Sequence, residues 1–192
     1  MEDINQLKQI LKEEIDIYKD IPLSDSDMLD LVKGKANLVT YSEIHKYRSI
    51  DELLAPYGAC IILYETKPHF GHWVCLTLHD GLIEYFNSYG SLNNGGLPDD
   101  ELKHIPKAFA KESHQDKKYL TKLLVECDYE LSYNEFQFQE LDNHVKDCGR
   151  WVVLRIIMKS LSLEDFSKLF FNMYSDDLVT YLTAKASQLQ EV

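Results

Sequence analysis

Apolar residues recur at helical spacing at the start of the chain, where Ile4, Leu7, Ile10, Leu11, Ile15 and Tyr18 share one face of an amphipathic helix. The run "DIPLSDSD" ends it, and Ser24 or Ser26 is placed to cap a short second helix, "DMLDLVKG", stopped by Gly34. "SIDELLAPYG" spells one more helical turn, broken by Pro56. The period then changes. "ACIILYE" is a continuous apolar run rich in β-formers, the pattern of a strand covered on both faces. "HWVCLTL" and "LIEYFNSY" flank Asp80-Gly81, a two-residue hairpin signal. "SLNNGGLPDD" has loop composition, residues 115–126 have helical spacing, and "EFQFQEL" suggests a short strand in which Phe136 and Phe138 alternate with polar residues. Helical periodicity returns from Gly149 to Ser160, then in "LEDFSKLFFNMY" capped by Ser162, then in "SDDLVTYLTAKASQL". Helices, a compact sheet and more helices predict an α+β fold.

The hairpin carries chemistry if Asp80 and Gly81 are its two turn residues. His79 then faces Leu82, Leu76 faces Tyr85, Val74 faces Asn87, and His72 faces Tyr89. Alternation along a strand puts His72 and Val74 on one face with Asn87 and Tyr89. His72 and Asn87 become diagonal neighbours, within reach of an Nδ1–H···O bond. Glu84 pairs with Thr77 on the opposite face, so it is no partner for His72. Gly71 and the Ser88-Tyr89-Gly90 turn end the two strands and leave the pair at the rim of the sheet.

A nucleophile completes the pattern. In "VKDCGRWVVLRI", Gly149 is a poor helix former, yet Trp151, Leu154 and Met158 continue an apolar stripe. Cys148 and Gly149 therefore mark a helix N-terminus. Free backbone amides and the positive end of the dipole there would favour a thiolate, and Gly149 would let a substrate backbone approach. Cys60 and Cys75 lie inside strand runs, and Cys127 ends a helix, where the dipole is unfavourable. An oxyanion donor is also needed. Gln137 and Gln139 face the same side if their segment is a strand, so periodicity does not choose between them; Gln139 lies closer to Cys148 in sequence.

The rest of the composition narrows the setting. A length of 192 residues suits one domain with a substantial core. We divide it into an N-terminal helical segment, 1–40, a catalytic core, about 41–160, and C-terminal helices, 161–192. The four cysteines form no C-x-x-C pair and the histidines no H-x-x-x-H pair, so neither a disulfide framework nor a metal site is expected, and the thiols fit a reducing compartment. No cofactor is expected. The longest apolar runs fall far short of the ~20 residues that span a bilayer, and the acidic, helical start is unlike a secretory signal. A net charge of −12 disfavours binding to a phosphate backbone. Gly95-Gly96, in the "SLNNGGLPDD" loop, is a candidate self-cleavage point, although such loops are more often flaps.

The order His…Asn…Gln…Cys-Gly, carried by "GHW" at 71–73, "FNSYG" at 86–90 and "DCGRW" at 147–151, resembles the clan of adenain and the ubiquitin-like-protein proteases. "CGRWVVLRI" with "YNEFQFQ" upstream is similar to maturation cysteine proteases of virophages and large DNA viruses, over roughly Tyr41 to Ile157. The resemblance implies a mixed sheet packed on helices, with the nucleophile on a central helix. It implies Cys148 as nucleophile, His72 as general base, Asn87 as orienting residue, Gln139 as oxyanion donor and Trp73 as the wall of a narrow substrate channel. Many relatives carry Asp where this chain has Asn87; an amide oxygen still accepts from an imidazole and fixes its tautomer. The nine positions from Gln139 to Cys148 exceed the spacing of cellular members, so the intervening loop would have to bulge. The implied activity is that of a monomeric thiol endopeptidase. It would cleave capsid or core precursor proteins at Gly-containing sites, in the virion or the host-cell cytoplasm. The alternatives are removal of ubiquitin-like modifiers and acetyl transfer by the same triad.

Overall fold

The run at 59–64 is buried on both sides because two separate cores meet across one sheet. The computed structural model describes residues 2–90, 98–140, 146–170 and 175–188; Gly95-Gly96 and the loop residues 141–145 lie outside the described residues. Strand β2 (Ala59–Lys67) pairs antiparallel with β3 (Phe70–His79), and β3 pairs antiparallel with β4 (Leu82–Phe86). Strands β1 (Asn37–Thr40) and β5 (Glu130–Tyr133) add to the two edges in parallel, giving the order β1-β2-β3-β4-β5. The sheet is mixed and the fold is α+β.

Ala59, Ile61, Leu63, Trp73, Cys75 and Phe86 point to one core. There they meet α2 (Asp25–Val32), α6 (Cys148–Ile157), α7 (Leu163–Phe170) and α8 (Ser175–Gln188), through Met28, Trp151, Phe166 and Val179. Cys60, Ile62, Tyr64, Val74 and Leu76 point to the other. That side is closed by Tyr41, Ile44, α3 (Ile50–Leu54) and α5 (Tyr119–Val125). Alternation is therefore intact in β2; each alternate residue simply finds an apolar layer. Helix α1 (Glu2–Tyr18) packs on α8.

Four details depart from the sequence pattern. Strand β1 precedes residue 41, so the sheet crosses the boundary drawn between segment 1–40 and the core. Four residues, "NLVT", are too few to show a period. The helix expected over 115–126 begins only at Tyr119. The Gln115 side chain instead accepts from Glu65 N (3.0 Å) and donates to Glu65 O (3.1 Å), satisfying the backbone where β2 is bulged. Helix α4 (Lys107–Glu112) and a 3-10 helix, Pro98–His104, occupy the stretch for which the sequence suggested no helix. "EFQFQEL" is not a strand, because β5 ends at Tyr133. Asn134 replaces the ladder with its side chain: Asn87 N donates to its Oδ1 (2.9 Å), and its Nδ2 donates to Asn87 O (2.7 Å).

Two buried arginines seat α6. Arg155 forks onto Glu84 of β4, Nε to Oε1 at 2.6 Å and Nη2 to Oε2 at 2.8 Å, and also donates to the carbonyls of Met158 and Leu161. Arg150 donates to Thr183 Oγ1 (2.7 Å) and to the carbonyls of Tyr18 and Ile21, tying α6 to α8 and to the end of α1. Both side chains face inward and neither lines a substrate path. Removing one member of a buried ion pair strands the other, at about 3–5 kcal/mol. Urea unfolding of Glu84→Ala or Arg155→Ala should show a loss of that order, and the double variant Glu84→Leu/Arg155→Met should lose less than either single change.

Candidate active site

The hairpin register follows the Asp-Gly turn: His79 faces Leu82, Thr77 faces Glu84, Leu76 faces Tyr85 and Cys75 faces Phe86. Asp80 (φ 50) and Gly81 (φ 81) both take the left-handed conformation that a tight two-residue turn requires. Past Phe86 the ladder ends, and side chains take over. His72 Nε2 lies 2.9 Å from Asn87 Oδ1. The ring nitrogen is a correction: Nδ1 was expected to face the amide, but Nε2 does. The Cys148 side chain is the partner that most favours the imidazolium, and Nδ1 is the nitrogen left to face it. Tyr89 stacks on the other side of the imidazole, centroids 4.7 Å apart at 18°.

Asn87 is 5 % exposed and held at every polar group. Its Oδ1 accepts from His72 and from Tyr89 N (3.0 Å), and its Nδ2 donates to Glu101 Oε1 at 2.7 Å. Ser88, the next residue, donates through its hydroxyl to Gln139 Oε1 (2.8 Å), and its carbonyl accepts from the amides of Phe138 and Gln139. Gln139 is buried while Gln137 is exposed, which separates two side chains that alternation had left equivalent. Gly90 makes this possible. It has φ +70, and a Cβ there would stand 2.7 Å from Glu135 O and 2.8 Å from Phe136 O. Only glycine lets the 135–139 segment lie against the turn.

Cys148 is the first residue of α6 and is half-buried. Asp147 precedes it but makes no side-chain cap. Its carboxylate faces Arg150 instead (Oδ1 to Nε, 3.3 Å), so it does not occupy the first-turn amides beside the sulfur. Burial first, then the charge of Asp176, push the Asp147 carboxyl up to about 7 against the pull of Arg150. The other thiols are unlike Cys148 in their surroundings. Burial drives Cys60 and Cys75 far above the usual thiol range, and Cys127 donates to Leu124 O.

Gly149 is a second correction. Its missing Cβ points at Met28 Sδ (3.2 Å), Trp73 Cδ1 (3.4 Å) and Leu23 Cβ (3.7 Å), so the residue serves close packing and leaves no opening for a substrate backbone on that side. Trp73 is 8 % exposed and belongs to the same core, at the foot of α6. The sequence also missed Glu101, Ser88 and Asn134. Glu101 sits in "PDDEL", an acidic run that looks solvated, and no local signal marks its third acid as buried.

Burial disfavours the cationic form of His72, yet the hydrogen bond and negative charge of Cys148, then Glu101 and Asn87, outweigh it and raise its pKa to about 9. The folded pKa is above the ordinary 6.5, so the stabilisation is full below 6.5 and is lost as pH rises through about 9. An imidazole titration by NMR should place the His72 midpoint near 9. In Cys148→Ala the midpoint should fall, because burial then opposes the cation with its main partner gone. An unmoved midpoint would separate the two side chains.

The fold and site together define an α+β protein in which an imidazole hydrogen-bonded to an amide has a thiol as its other partner. The protein belongs to the family of the uncharacterized protein V9 of Sputnik virophage, with which it is 42% identical over 177 residues, 92% of this chain and 95% of that protein. No family model matches it. Solved structures similar in outline include the SUMO protease Ulp1 (TM-score 0.46, 15% identity, 90% of this chain and 78% of that one). Another is the ASFV pS273R protease (TM-score 0.44, 14% identity, 84% and 66%). Among the described residues, no helix is long and apolar enough to cross a membrane.

Proposed function

We propose that the chain is a cysteine endopeptidase that cleaves viral capsid or core precursor proteins at Gly-containing sites during particle maturation. The observation that carries this is the His72 imidazole bonded to the Asn87 amide oxygen at 2.9 Å, with Cys148, at a helix N-terminus, as the partner that most favours its cation. Hydrolysis needs a nucleophile, a base and an orienting group in that order. The sequence resemblance to maturation proteases and the virophage relative supply the viral setting.

In this mechanism His72 Nδ1 takes or holds the Cys148 proton, and the thiolate adds to the scissile carbonyl. The Cys148 backbone N–H and the Gln139 side-chain amide donate to the oxyanion; Ser88, holding Oε1, directs the NH2 end of Gln139 away from itself. The C–N bond breaks as His72 returns its proton to the leaving amine, leaving a thioester on Cys148. Water, deprotonated by His72, attacks the thioester and releases the acid and the thiol. Asn87 accepts from Nε2–H throughout and keeps the ring in one tautomer.

Incubation with candidate capsid precursors, followed by sequencing of the new termini, tests this. Cleavage should occur at Gly-containing sequences and drop at least about a thousandfold in Cys148→Ala. Identical behaviour of the two proteins would overturn it. Turnover of a ubiquitin-like reporter ending in Gly-Gly, with capsid proteins untouched, would move the substrate to modifier conjugates.

A further inference from the structure

We propose that Glu101 is a positioning residue of this site: its carboxylate orients the Asn87 amide and thereby dictates which nitrogen of His72 carries the proton and which is left to face the sulfur as base. The inference rests on the thiol–imidazole reading of the site given above. The two ends of an asparagine amide have the same shape and opposite hydrogen-bonding character, so packing alone does not choose between them. A carboxylate accepts only. With Glu101 Oε1 at 2.7 Å, the amide must present Nδ2 to it and Oδ1 to His72. Were the amide reversed, Nδ2 would face the imidazole, Nε2 would have to accept, and the proton would sit on Nδ1, the atom needed as base. Tyr89 N–H favours the same orientation at 3.0 Å, but as a neutral donor that adds no negative charge. Glu101 brings that charge, and its field reaches His72 through the amide.

Glu101 is placed there by design of the fold. It is 6 % exposed, in the 3-10 helix Pro98–His104. Tyr64 hydroxyl donates to Pro98 O at 2.7 Å, Asp99 Oδ1 accepts from Tyr41 hydroxyl (2.6 Å), and Asp99 Oδ2 accepts from Thr121 N (2.9 Å). The core layer that holds Tyr41 and Tyr64 thus anchors the segment just before Glu101. The titratable groups around it are the tyrosines 64, 85 and 89, all held neutral by burial, and His72.

Glu101→Gln keeps the shape and removes the charge. The His72 midpoint should fall by about one pH unit. The His72-linked inflection in the alkylation of Cys148 by iodoacetamide, followed from pH 5 to 9, should move down by about the same amount. Asn87→Asp alone sets two carboxylates within hydrogen-bond distance, where one must take up a proton. The double variant Asn87→Asp/Glu101→Gln puts the carboxylate in direct contact with the ring and should raise the His72 midpoint to the wild-type value or above it. A purely structural Glu101 predicts lower stability with the midpoint and alkylation profile unmoved, and that result in a folded Glu101→Gln overturns the proposal. If Glu101→Gln does not fold, Glu101→Asp, which keeps the charge but draws it back from the Asn87 amide, decides: a lowered midpoint supports the proposal and an unmoved one overturns it. Neither readout uses a peptide, so a wild type that cleaves nothing but shifts as described would sink the protease and leave the Glu101 linkage standing.

Discussion

A single tight turn decides which face of the sheet carries chemistry. Asp80 and Gly81 both sit at positive φ, and this pins β3 against β4 with no freedom to slide. A slip of one residue would carry His72 to the opposite face and set Glu84 in its place beside the apolar layer. The same register lets Glu84 reach Arg155, so the turn that pairs imidazole with amide also docks the helix that bears the thiol. The geometry of the candidate site and the core packing thus share one constraint, and neither can be changed without the other.

The helix itself is an unusual thing to bury. Eight of its residues, from Gly149 to Ile156, are buried, including two arginines. Guanidinium groups in that position need acceptors to offset their desolvation, and Arg155 finds a carboxylate and two carbonyls. The consequence is rigidity at the helix start. Cys148 is carried on an element gripped by α2, α8 and β3 on all its buried sides, so the sulfur is positioned by packing more than by local loop geometry.

The parts of the molecule legible in the sequence are those with a local code. The Asp-Gly hairpin, the cap at Ser24, the apolar stripe of α6 and the His72–Asn87 neighbourhood each follow from short-range rules, and the structure has them. What was illegible depends on partners distant in sequence. Strand β1 is too short to show a period. "EFQFQ" alternates like a strand, yet Asn134 satisfies the backbone of Asn87 with a side chain and the ladder never forms. Gly149 looked like an opening for substrate because glycine permits close approach; only the positions of Met28 and Trp73 reveal what approaches. Glu101 is the plainest case, since "DDEL" has the composition of a solvated turn and is buried through contacts made by Tyr41, Tyr64 and Asn87.

The amide at position 87 makes physical sense once the charges are counted. A thiolate and an imidazolium together are neutral, so the pair needs little further charge to be stable in a half-buried site. An aspartate in direct contact with the ring would favour the cation so strongly that the proton would be slow to leave for the amine. Interposing an amide keeps the tautomer fixed and moves the negative charge of Glu101 one side chain further out, where it supports the imidazolium without holding its proton. The low exposure of both Asn87 and Glu101 keeps water from screening that charge, so the more distant carboxylate still acts on the ring.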